Sequence, residues 1–109
     1  MNTSKEKMLF EYHQKHLRNG TYLVKDGQVT TIYLRGVTGP DGKIYNVPSF
    51  FNGKIQSEEA AITRAAKIGW KKYPAYGTGK EANTAARRLH TLIEQDTEKF
   101  FSNKKTILQ

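Results

Sequence analysis

The chain has 109 residues, enough for one domain with a single modest hydrophobic core. Hydrophobic residues make up 37% of it, cysteine is absent, and no apolar run approaches the length of a membrane span. Disulfides and thiolate metal sites are therefore excluded, and we expect no membrane association and no cofactor. The net charge of +8 favours an anionic partner.

Residues 1–19 predict an amphipathic N-terminal helix. Apolar side chains recur at helical spacing from Met8 to Leu17, with charged residues between them. Asn19 and Gly20 supply a stop signal, because both residues tolerate the left-handed conformation that ends many helices.

Residues 20–56 predict a small antiparallel sheet of three to four strands. The dipeptides Asp26-Gly27 and Asn52-Gly53 are typical of tight two-residue turns. Pro48 cannot donate to a strand ladder, so the chain is expected to leave the sheet there or to continue as an edge. Strands are expected at 21–24, 28–34 and 43–47, a turn-rich linker at 36–42, and an edge strand or exit at 49–51.

Residues 57–101 predict two helices. Ser57 is a good N-cap for the first helix, which Gly69 ends, and Thr78 with Glu81 forms a capping box at the start of the second. The tail at 102–109 is expected to fray. The predicted fold is one α+β domain, in which the two C-terminal helices pack on the apolar face of the sheet.

Between the two helices lies a connector in which aromatic residues alternate with lysines. Such a segment either stacks on nucleic-acid bases or folds inward to lock the helices against the sheet. The second interpretation is preferred, because a small domain rarely exposes several large aromatic side chains. Structural roles are therefore assigned to Trp70, Tyr73, Pro74 and Tyr76, together with the capping residues Thr78 and Glu81.

Basic residues are concentrated between positions 64 and 88, where the only acid is Glu81. This excess is either a solvated surface or a face that contacts an anionic partner, protein or nucleic acid. The candidate contact residues are Arg64, Lys67, Lys71, Lys72, Lys80, Arg87 and Arg88.

No catalytic or metal-binding pattern is present in the sequence. No serine lies in a nucleophile elbow. Each pair of carboxylates is explained by a helix cap or by a solvated surface. His13 and His16 could reach one metal ion, but further ligands are lacking, so both are expected at the surface or in an interface. His90 is expected to be a half-buried structural imidazole. A non-enzymatic protein is predicted.

A series of short motifs runs through the second half of the chain, over roughly residues 41–96. These motifs are Val47-Pro48-Ser49, Gly53-Lys54, Glu58-Glu59-Ala60, Gly69, Tyr73-Pro74-Ala75-Tyr76 and Glu81-Ala82. Their order, rather than one signature, resembles a module of tailed-bacteriophage virion-associated and small accessory proteins. The resemblance implies a phage origin and, as an expectation, a role in virion structure or assembly.

A shorter stretch places Gly53-Lys54 just before Glu58-Glu59-Ala60-Ala61. This order is similar to that in the three-strand-plus-helix DNA-binding domains of plant-type transcription factors and phage integrase arms. Those domains read DNA with their sheet, whereas the strands predicted here carry few basic residues.

The favoured function is a small phage protein that acts through protein–protein contacts, as a virion-associated or assembly component. One alternative is an inhibitor of a host or defence protein that uses a basic face. Another is an accessory protein that binds nucleic acid through that face. The partner would be a phage or host protein, a homo-oligomer is compatible with the sequence, and the location would be the host cytoplasm or the virion.

Overall fold

The computed structural model describes residues 2–108, with side chains for residues 2–102. Helices and strands mix as the sequence predicted, so the fold class is α+β. In chain order the elements are α1 (Asn2–Asn19), β1 (Leu23–Lys25), β2 (Gln28–Thr30), β3 (Leu34–Thr38), β4 (Ile44–Pro48), β5 (Phe50–Phe51), β6 (Lys54–Ile55), α2 (Glu58–Ile68), a 3₁₀ turn (Trp70–Lys72), β7 (Ala75–Tyr76) and α3 (Gly79–Leu108).

Helix α1 buries one stripe of its surface. Leu9, His13 and Leu17 are four residues apart and all buried, because residues at this spacing share one face of a helix. The helix ends where the sequence predicted. Gly20 has a φ of 69°, and the N–H of Thr21 bonds the carbonyl of His16 at 3.1 Å.

The strands form three separate antiparallel sheets instead of the single sheet that was expected. β1 pairs with β2, β5 pairs with β6, and the main sheet has the order β3-β4-β7. Both two-residue turns are confirmed: Asp26 and Asn52 adopt φ values of 52° and 57°, each followed by a glycine with positive φ.

The predicted strand at 28–34 is wrong in its second half. The chain bends at Thr31, whose hydroxyl is drawn inward to His13, and pairing resumes only at Leu34. The linker expected at 36–42 is also wrong at its start, because Leu34–Thr38 is strand β3 and places Val37 in the core. Local glycine content suggested a loop, but burial of Val37 favours the strand.

Helices α2 and α3 cover opposite faces of the main sheet, which corrects the expectation that both pack on one face. Alternate residues of β4 point to opposite faces. Ile44 packs with Tyr76 of β7 and with Ala82 in the first turn of α3, and the Asn46 side chain donates to the Ala82 carbonyl at 2.9 Å. On the other face, Tyr45 clusters with Ala61 and Ala65 of α2.

Helix α3 is longer than predicted. It runs through Leu108, so residues 102–108 continue the helix, and Gln109 lies outside the described residues. Thirty residues make a rod of about 45 Å. This length accounts for the elongated molecule, which measures 52 × 25 × 22 Å.

Candidate contact surface around Trp70

The connector between α2 and α3 is positioned by one glycine and one 3₁₀ turn. Gly69 has a φ of 120°, a conformation that L-residues with side chains rarely adopt, and its N–H bonds the Ala65 carbonyl at 2.8 Å. The N–H of Tyr73 then bonds the Trp70 carbonyl at 3.1 Å. These bonds reverse the chain, so Tyr73 enters the core and β7 can join the sheet.

Trp70 is half-buried against the sheet. Its ring lies on Tyr45 with the centroids 5.0 Å apart and the planes tilted by 58°. Gly39 lies against the Tyr45 ring, where a Cβ would overlap it. Trp70 therefore packs against the sheet, as the structural interpretation of the connector requires, while part of its side chain stays exposed.

A hydrogen bond holds Tyr45 in place beneath Trp70. The Tyr45 hydroxyl donates to the Asp41 carboxylate at 2.9 Å. This bond lowers the pKa of Asp41 and raises the pKa of Tyr45, as expected for a donor paired with a carboxylate. The loop before β4 and the ring that supports Trp70 are thus tied together.

The other aromatic residues of the connector are core residues. Tyr73 is 4% exposed and Pro74 is fully enclosed. Tyr76 is buried against α3, and its hydroxyl donates to the Glu6 carboxylate. Burial, followed by this hydrogen bond, raises the pKa of Tyr76 strongly.

The predicted capping box at the start of α3 is half formed. The Glu81 N–H donates to the Thr78 hydroxyl oxygen at 3.2 Å, as predicted. The Glu81 carboxylate, however, accepts from the Thr78 hydroxyl at 3.2 Å rather than from the backbone amide that a full box requires.

Arg64 is half-buried among aromatic rings instead of lying on an open basic face. Its guanidinium lies over the rings of Tyr12 and Phe51, at 5.8 and 4.9 Å from their centroids. This side chain joins α1, α2 and β5, so its role is structural.

The lysines near Trp70 are exposed. Lys67 lies in the last turn of α2, while Lys71 and Lys72 directly follow Trp70. Lys43 precedes Tyr45 by two residues and so points to the same face of β4. Within residues 2–102 none of these lysines has a carboxylate within 4.0 Å. We call Trp70, Lys43, Lys67, Lys71 and Lys72 the Trp70 surface.

The basic residues of α3 point elsewhere. Arg88 turns towards α1, 3.8 Å from Glu6, while Arg87 lines a groove of about 950 Å³ between α3 and residues 28–34. Lys80 is exposed in the first turn. Because α2 and α3 lie on opposite faces of the sheet, the seven basic residues predicted from the sequence do not form one continuous patch.

His13 is completely buried, which corrects the expectation of a surface or interface residue. Its ring bonds the Thr31 hydroxyl at 2.5 Å and the Asp96 carboxylate at 2.8 Å, and it stacks on Phe10. Burial lowers the pKa of His13, and Asp96 offsets part of this effect. The neutral ring fits this site: Nε2–H donates to Asp96, and Nδ1 accepts from Thr31.

The order Asp96–His13–Thr31 is that of an orienting carboxylate, a base and a nucleophile, but the nucleophile position is closed. His13 is 0% exposed and Thr31 is 2% exposed, so no substrate carbonyl could approach the hydroxyl. The arrangement supports a structural tie between α1, the segment before β3, and α3.

The two remaining histidines bond residues close to them in the chain. His16 bonds the Thr21 hydroxyl at 2.8 Å and contacts the ring of Phe50. His90 is exposed and bonds Glu94 at 2.8 Å, so the expected half-buried position is wrong. Among the described residues, no three His, Asp or Glu side chains cluster so that they could hold a metal ion.

Three residues that organise the site carried no clear signal in the sequence. Asp96 looked like one of several surface acids, Thr31 like a strand residue, and Tyr45 like an ordinary core aromatic. Each acquires its role from a partner far away in the chain. Only the burial stripe of α1, on which His13 lies between Leu9 and Leu17, could have marked His13 as buried.

Comparison with protein-family models, curated proteins and solved structures finds no match to this chain. None of the helices that the structure describes combines the length and apolar character needed to cross a membrane.

Proposed function

We propose that this chain is a small, non-catalytic phage protein that binds another protein through the Trp70 surface, as a virion-associated or assembly component. One observation carries the proposal: a partly exposed tryptophan packs on Tyr45, and exposed lysines precede and follow it in the chain. The phage assignment rests on the motif order in residues 41–96.

Tryptophan is enriched among the residues that contribute most to protein–protein binding. Here the Tyr45 ring and its bond to Asp41 hold the indole before any partner arrives, which reduces the entropy lost on binding. The exposed lysines add positive charge, so a complementary surface would be acidic. Together these features fit an acidic protein face with an apolar centre.

A nucleic-acid role is less well supported by the same geometry. Stacking on bases needs a free aromatic face, and Trp70 uses much of its surface against Tyr45. The arginines of α3 and the lysines near Trp70 also lie on opposite sides of the sheet, so one strand of phosphates could not contact both sets directly.

Mass spectrometry of purified virions tests the virion assignment. We expect the chain in the particle at a fixed copy number. Absence from particles, together with expression early in infection, would favour the inhibitor instead and contradict the virion role.

Charge reversal tests the surface. Lys71→Glu with Lys72→Glu should prevent incorporation into particles without unfolding the chain, because both side chains are exposed. Lys25→Glu with Lys54→Glu makes the same change of net charge on β1 and β6, at residues outside the Trp70 surface, and should leave incorporation intact. Equal loss in both variants would show that only total charge matters. Binding to an oligonucleotide with a steep salt dependence would favour the nucleic-acid role.

A further inference from the structure

The two edges of the main sheet differ in whether their outward backbone groups are hydrogen-bonded. On the β7 side, the Asn2 side chain takes the place of a neighbouring strand. Its Oδ1 accepts from the Ala75 N–H at 3.0 Å, and its Nδ2 donates to the Ala75 carbonyl at 2.7 Å. This edge is therefore closed by α1.

On the β3 side, the backbone of three residues points away from the sheet. The bonds from the Gly39 N–H to Lys43 and from the Ser49 N–H to Tyr33 fix the alternation of the β3–β4 ladder. In an antiparallel pair, residues that bond to the partner strand alternate with residues that do not. In this register the β3 residues that do not bond to β4 are Leu34, Gly36 and Thr38, and their N–H and C=O groups face outward.

Within the described part of the chain, these outward groups have no strand or side chain bonded to them. Gly36 and Thr38 are exposed. The charge on β3 is directed elsewhere, since the Arg35 guanidinium bonds Ser49 at 2.8 Å and the Gln56 carbonyl at 2.9 Å. Proteins usually protect such an edge with lysine, proline or a bulge, and β3 has none of these.

We propose that the outer edge of β3 pairs with the same edge of a second copy of this chain. Two antiparallel β3 strands would meet on a two-fold axis through Gly36, and Leu34 would lie opposite Thr38 of the second copy. The three outward residues of each copy would then exchange all their backbone hydrogen bonds, and two three-stranded sheets would become one of six strands.

Self-pairing suits this edge better than pairing with an unrelated peptide. The register is self-complementary, as a two-fold interface requires. Gly36 lies at the axis, where two side chains would otherwise oppose each other. Arg35 lies opposite Val37 of the second copy, so the two arginines are not directly opposed. Each copy brings one helix to each face, and helices about 10 Å wide fit above three strands spaced about 4.8 Å apart.

The net charge of +8 on each copy opposes association, and salt screens this repulsion. The dimer should therefore tighten as the salt concentration rises, whereas binding of an anionic partner should weaken. The pairing uses none of the residues of the Trp70 surface, so its test is independent of the test of the proposed function.

Sedimentation velocity over a range of concentrations up to about 100 µM tests the proposal. The unmodified chain should form a dimer. Thr38→Pro should be monomeric, because it removes an outward N–H without removing a bond to β4. Thr38→Val keeps this N–H and should remain dimeric.

A second pair of variants covers the case in which Thr38→Pro does not fold. Gly36→Lys places two ammonium groups at the axis and should give a monomer. Gly36→Ala adds only a Cβ, which meets Asn46 and Ile44 at an ordinary 3.6 Å, and should remain dimeric. An unmodified chain that stays monomeric would overturn the proposal, as would a folded Thr38→Pro or Gly36→Lys variant that is still dimeric.

Discussion

At the scale of single residues, His13 links the acid–base chemistry of the chain to its stability. The folded state holds the ring neutral between Thr31 and Asp96, and burial lowers the pKa of the imidazole. Burial also lowers the pKa of His16. In the unfolded chain both rings have a pKa of about 6.5, so below that pH the unfolded state binds more protons.

The free energy of unfolding should therefore fall as the pH falls from 7.5 through 6.5 towards the lowered pKa values of the folded state. His13→Gln should make the chain less stable by about 1–3 kcal/mol at pH 7.5, because Thr31 and Asp96 lose a fitted partner, and should reduce this pH dependence. Urea denaturation at pH 5.5, 6.5 and 7.5 measures both effects.

His90→Gln is the matched control, since the His90 side chain is 71% exposed. It should leave the pH dependence unchanged. A pH dependence that is the same in the His13 and His90 variants would show that His13 does not cause it.

Trp70 offers a second test at the same scale. A fully buried tryptophan costs about 3–5 kcal/mol when it is replaced by alanine. Because Trp70 is only half-buried on Tyr45, Trp70→Ala should cost roughly 2 kcal/mol. Chemical denaturation measures the loss. In the unmodified chain, whose one tryptophan is Trp70, the emission maximum should lie between those of a buried and a solvated indole.

Leu92→Ala provides the comparison, because Leu92 is 53% exposed and its loss should change the stability by less than about 0.5 kcal/mol. If Trp70→Ala is as mild as Leu92→Ala, the contact with Tyr45 contributes nothing to stability, and the indole is not held in place for a partner.

At the scale of elements, the start of α3 depends on a single side-chain cap. Thr78→Ala removes the acceptor for the Glu81 N–H and should cost about 1 kcal/mol. Glu81→Ala should cost less, because its carboxylate bonds only the exposed Thr78 hydroxyl. Thermal or urea denaturation measures both variants.

The same substitution within the helix should have a different result. The Thr84 hydroxyl bonds the Lys80 carbonyl, four residues earlier, so Thr84→Ala removes no bond that the helix needs. Because alanine is the better helix former, Thr84→Ala should be neutral or stabilising. Equal effects at positions 78 and 84 would contradict the capping role.

At the scale of the whole molecule, α1 bonds to the main sheet, to the segment before β3 and to α3. It closes the β7 edge through Asn2, accepts the Tyr76 hydroxyl through Glu6, and contributes Leu9 and His13 to the interior. His13 links Asp96 on α3 to Thr31 in the segment before β3.

Deletion of residues 1–19 should therefore abolish cooperative unfolding rather than simply lower the midpoint. The remaining chain would expose the buried faces of β4 and α3 and leave Asp96 and Thr31 without their partner. Circular dichroism during heating measures this. A sharp transition in the deleted chain would show that residues 20–108 form a domain on their own.

Several features were determined by the sequence alone, because their causes lie within a few residues. The turns at Asp26-Gly27 and Asn52-Gly53, the caps at Ser57 and Thr78, and the helix ends at Gly20 and Gly69 all follow from local backbone and hydrogen-bond preferences. The α+β class follows from the change in hydrophobic period along the chain.

Only the tertiary structure decided which faces and partners these elements share. The bend at Thr31 exists because its hydroxyl bonds His13, 18 residues earlier, and His13 is buried because Asp96 supplies a carboxylate 83 residues later. The basic residues separate because α2 and α3 cover opposite faces of a sheet whose strand order the local pattern did not contain. Such contacts depend on long-range packing, and no window of the sequence includes both partners.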